Sequence, residues 1–188
     1  TGGAGSVTVS NNDMDIAGDD GTGDERAFLA GSGSTFALQN NQITGFSVGA
    51  KFEGASDVDV TGNTFENIDF QAVSITDETG GASGPLVVNN NDFDNIGGSA
   101  LFLGEKTGNG DLSPNNPIEF NNNDVTNSND AHGVKTDSDN TIDFSGSGNP
   151  LDKTFVNATL TFWGDSSGPS GIGPGSGASV DTGVVYTE

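Results

Sequence analysis

Cysteine is absent from this chain of 188 residues, and with it go disulfides, thiolate metal sites and cysteine nucleophiles. Cations are nearly absent too: Lys and Arg together number 5 against 27 Asp and Glu, for a formal charge of −22. The acids are spread along the chain, so the whole surface is negative, which repels nucleic acid and anionic lipid. Neither nucleic acid nor direct membrane insertion is expected, since no apolar run reaches the ~18 residues a spanning helix needs. An acidic surface with so few cations suits concentrated salt, where a Debye length of about 3 Å at 1 M screens the self-repulsion. A halophilic setting is therefore expected. High charge and 30 Gly would also fit disorder, but 12 Phe in an ordered pattern argue for a packed core.

That order is a repeat. Val7-Thr8-Val9-Ser10-Asn11-Asn12-Asp13-Met14 returns as Phe36-Ala37-Leu38-Gln39-Asn40-Asn41-Gln42-Ile43 and as Val58-Asp59-Val60-Thr61-Gly62-Asn63-Thr64-Phe65. It returns again as Leu86-Val87-Val88-Asn89-Asn90-Asn91-Asp92-Phe93 and Ile118-Glu119-Phe120-Asn121-Asn122-Asn123-Asp124-Val125, with a degenerate sixth copy at Ile142-Asp143-Phe144-Ser145-Gly146-Ser147. Apolar residues at i and i+2 predict a strand with one buried face, the Asn a corner, and the next apolar residue a second strand. A third apolar cluster follows: Ala50-Lys51-Phe52, Ala72-Val73-Ser74-Ile75, Ala100-Leu101-Phe102-Leu103 and, more weakly, His132-Gly133-Val134. No stretch keeps helical spacing, so helix should be nearly absent. Strands this short bond between repeats rather than within one. The fold class read from the pattern is all-β, a single-stranded parallel β-helix (solenoid) of about six coils of three short strands. Residues 1–164 form the β-helix, and 165–188 form a Gly/Ser/Pro-rich extension with a last strand near 180–186.

Asn12, Asn41, Asn63, Asn91 and Asn123 recur at one place in successive corners. Asn tolerates left-handed backbone, and stacked amides can hydrogen-bond as a ladder, so these five are structural corner residues. Successive spacings of 29, 22, 28 and 32 residues place the insertions at 17–25, 77–84 and 105–116, on one side of the prism.

The repeat resembles the right-handed parallel β-helix superfamily, the pectate-lyase-like fold, over residues 6–160. Asn157-Ala158-Thr159-Leu160-Thr161-Phe162-Trp163-Gly164, continuing to Gly168-Pro169, resembles the Asn-Ala-x-x-Asn-Trp-Trp-Gly segment that ends such arrays in archaeal and bacterial surface proteins, with Thr161 and Phe162 replacing its Asn and first Trp. The resemblance implies that Phe162 and Trp163 cap the last coil. It points to secreted and surface β-helix proteins of haloarchaea.

Sites are sparse. A lyase of this fold needs paired cations, and Lys51 and Lys135 stand about three coils, roughly 14 Å, apart. Asp59, Glu119 and Asp143 form an outward row that reads as solvated surface. His132 lies near Asp137 and Asp139, in the place held by Ala72 and Ala100, which favours a coil-surface position over a general base. Asp19, Asp20 and Asp24 sit in an acidic loop that could take Ca²⁺ but lacks EF-hand spacing; Asp92/Asp94 and Asp124/Asp130 are further oxygen donors. No other cofactor is implied. Asn157-Ala158-Thr159 is a glycosylation sequon. The expected function is a non-enzymatic structural or adhesive module of a cell-surface, filament or virion protein. Its partners would be further copies, flanking surface domains or glycans. The alternative is a carbohydrate-active enzyme, hydrolase, epimerase or lyase, with acids near Asp77, Glu78, Asp111 and Asp130.

Overall fold

The structure, a computed structural model, describes residues 5–16, 25–31, 35–54, 57–77, 86–105, 118–127, 132–136, 156–171, 175–180 and 184–187. Among them there is no helix, and strands run parallel in three sheets that the chain visits in turn. The first sheet is β1 (Ser6–Ser10), β4 (Thr35–Gln39), β7 (Asp57–Thr61), β10 (Leu86–Asn89), β13 (Ile118–Glu119), β16 (Val156–Thr159) and β19 (Val184–Thr187), in that spatial order. The second holds β2 (Asp13–Asp15), β5 (Gln42–Thr44), β8 (Thr64–Ile68), β11 (Asp92–Ile96) and β14 (Asp124–Thr126).

The third begins β3 (Arg26–Ala30), β6 (Val48–Glu53), β9 (Gln71–Asp77), β12 (Ser99–Glu105) and β15 (His132–Thr136). It then breaks sequence order: β18 (Gly177–Val180) lies beside β15, and β17 (Pro169–Gly171) lies outside β18. The described residues beyond 164 thus add strands to sheets already begun. The stretch 180–186 contributes to two of them, through the end of β18 and most of β19.

Register is kept by the apolar alternation, because a slip of one residue would turn each inward side chain outward. Phe36, Val58, Leu86, Ile118 and Val156 stack in one buried column of the first sheet, and Leu38, Val60, Val88, Phe120 and Ala158 in the next. The strand on β13 is β16, with Ile118 opposite Val156, so residues 156–159 take the place expected for the degenerate copy at 142–147, which lies outside the described residues.

The facing column in the second sheet is Ile43, Phe65, Phe93, Val125 and Trp163, the last placed by the bridge between Asp124 and Phe162. Large and small alternate across the core: Val88 accompanies Phe93, Phe120 accompanies Val125, and Ala158 accompanies Trp163. Cross-section is conserved because interiors pack at nearly constant density. Rings of Phe65, Phe93, Phe120 and Trp163 stack at 5.2, 5.8 and 5.9 Å. From the third sheet, a Cβ on Gly49 would lie 2.7 Å from the Phe65 ring, and one on Gly133 would lie 2.4 Å from that of Trp163, so glycine is needed at both.

The corner between the first two sheets divides its work between two residues. Positive φ falls on Asn11, Asn40, Gly62, Asn90 and Asn122, not on the following Asn as the sequence suggested. The second residue, Asn41, Asn63, Asn91 or Asn123, points inward and is no more than 2% exposed. Asn12, Asn41, Asn63 and Asn91 donate their backbone N–H to Oδ1 of the next Asn along, at 3.0, 2.9, 2.9 and 2.8 Å. Their Nδ2 groups donate to the same oxygens. Nδ2 of Asn41, Asn63, Asn91 and Asn123 also reaches back to the carbonyls of Val9, Leu38, Val60 and Val88. A buried corner would otherwise strand these backbone groups without water.

Truncation of Asn91 strips partners from Asn63, Val60 and Asn123 together. Asn91→Ala should lower the unfolding free energy by about 3 kcal/mol, since each buried unsatisfied group costs ~1–3 kcal/mol, whereas Asn12→Ala at the exposed end should cost under about 1 kcal/mol. Urea denaturation of the two variants checks the ranking.

Candidate functional site

At the far end of the stack the ladder changes chemistry. Thr161 occupies the next Asn position, and its hydroxyl donates to the Phe120 carbonyl at 2.8 Å, the counterpart of the Asn123 bond to Val88. Trp163 is 3% exposed and continues the aromatic column, while Phe162 is 44% exposed. The two rings cannot both cover the end, because successive residues of a strand face opposite sides. Trp163 fills the core, and Phe162 faces out. The chain then turns at Asp165, whose carboxylate accepts the Ser167 N–H at 2.7 Å and its hydroxyl at 2.6 Å; both bonds hold its pKa below the usual carboxylate value.

Asn157 lies inside β16, paired with Glu119 on one side and Val185 on the other, so the sequon is in a central strand rather than a loop. Asp19, Asp20 and Asp24 lie outside the described residues, as do Glu78, Asp111, Asp130, Asp137, Asp139 and Asp143. Asp77 ends β9. Lys51 pairs with Glu53 on its own strand and stands three strands from Lys135, so the two cations do not converge. Asp59 and Glu119 share an outward column with Val87 between them. Asp59 accepts from Gln39 and Thr61, and Glu119 from Asn121.

His132 is one residue out of the expected register. It pairs with Ser99, so Gly133 takes the Ala100 place against Trp163. His132 Nδ1 lies 2.7 Å from the Ser179 hydroxyl on β18, tying that strand to β15 across a bulge.

Among the described residues, acids gather on the outer face of the second sheet. On β11, Asp92 lies opposite Asp124 of β14, and Asp94 lies opposite Glu66 of β8 on one side and Thr126 of β14 on the other. The pKa of Asp92 is raised, first by burial and then by Asp124, Asp94 and Glu66; that of Asp124 is raised by burial and by Asp94. Asp94 is steadied by Thr126 at 3.1 Å and Asn127 at 2.6 Å. The sequence alone offers Asp92/Asp94 and Asp124/Asp130 as pairs along the chain and leaves Glu66 unremarked; the register that sets Asp92 against Asp124 can be inferred by superposing the repeats. Among the described residues no group of three or more His, Asp or Glu is arranged to hold a metal ion.

No family model, no curated protein and no solved structure matches the chain.

A raised carboxylate pKa means the folded state binds protons more tightly than the unfolded one. The stability this proton supplies is therefore fully present below the unfolded-state pKa of Asp92 and lost as pH rises through its raised native pKa. Directly opposed like charges cost ~0.2–1 kcal/mol. Asp92→Asn should raise the melting temperature at pH 7 in dilute buffer by about 1–3 °C, with the gain fading near pH 4 or in molar salt. Leu160 has φ 55° and is exposed, in the place that Asn or Gly takes in earlier corners. Leu160→Asn should stabilise by roughly 1 kcal/mol in chemical denaturation, because Asn bears left-handed backbone more easily.

Proposed function

We propose that the three sheets wind as a right-handed single-stranded parallel β-helix and that the chain is a non-enzymatic structural or adhesive module of a salt-adapted extracellular protein. It would belong to a cell surface, filament or virion. The winding is supported by the cyclic order in which each of the first five repeats, β1 to β15, contributes one strand to each sheet, and its hand by the strong right-handed preference of parallel crossovers.

The observation that carries the functional reading is the unbroken Asn ladder beside continuous apolar columns. Inward positions of the repeat are used to hold the next repeat, and the acids occupy outer faces. Such a stack is stiff, because bending it strains ladder bonds and three sheets at once. The outer acids support the high-salt setting: the formal charge of −22 is tolerable where screening is short-ranged.

A second reading, a carbohydrate-active enzyme, draws on the opposed Asp92 and Asp124, since glycosidases work with a pair of carboxylates of which one, the general acid, has a raised pKa. Incubation with a panel of neutral and acidic polysaccharides separates the two. The scaffold reading expects no new reducing ends or unsaturated products; release abolished by Asp92→Asn would replace it with the enzyme.

Salt adaptation has its own measurement. Between about 0.1 and 3 M KCl the Debye length falls from about 10 Å to under 3 Å. The thermal midpoint followed by circular dichroism should climb steadily over that range. A flat or falling midpoint would remove the halophilic setting.

A further inference from the structure

We draw no further inference here: the strongest candidate, the outward row of Lys51, Ser74, Phe102 and Lys135 on the third sheet, carries nothing, because Ser74 is wholly buried there and nothing in the structure shows what covers it.

Discussion

A polypeptide that turns a corner inside its own core must find partners for backbone groups that no sheet can pair. Here the partner is an amide side chain, and the rest of the structure depends on it. Asn fits because it offers an acceptor and two donors at the end of a short stem. Its oxygen takes the N–H of the corner before it, and its nitrogen takes a carbonyl of that same earlier repeat. Gln would carry the amide one methylene deeper into the core, and Asp would place like charges in a buried row. The corner thus fixes both the residue and the stacking direction.

Packing follows from the same constraint. With corners locked, the width of the interior is fixed, and volume can only be traded between the facing columns. Phe moves from the second sheet at Phe93 to the first at Phe120, while Val88 and Val125 give way. The trade is carried furthest where Ala158 and Gly133 make room for Trp163.

Much of this was legible in the residues. Period-2 alternation beside a recurring Asn identified strands, corners and the five ladder residues, because both signals are local. What failed were matters of one residue. The left-handed position was assigned to the ladder Asn, since Asn-Asn pairs conceal which of the two does which; only Gly62 before Asn63 betrays the division. His132 was set opposite Ala100 because the apolar signal thins at Gly133, where the need is for space rather than hydrophobicity. Phe162 and Trp163 were treated as a unit, although strand alternation parts them. Opposition of Asp92 and Asp124 depends on register across 32 residues, beyond what any local pattern shows on its own.

The crossing of sequence order at β17 and β18 bears on how the fold is completed. β17 pairs with β18 and has no other described strand beside it, and β18 in turn lies against β15. A chain emerging from its N-terminal side can add repeats one at a time, each finding its template already built. At β17 that sequence stops: Pro169–Gly171 reaches its level before anything bridges it to β15, and must wait for β18 to slot in between. Closure of this edge is therefore a concerted, late event, and a ribosome or unfoldase that holds back residues 177–180 holds back β17 as well.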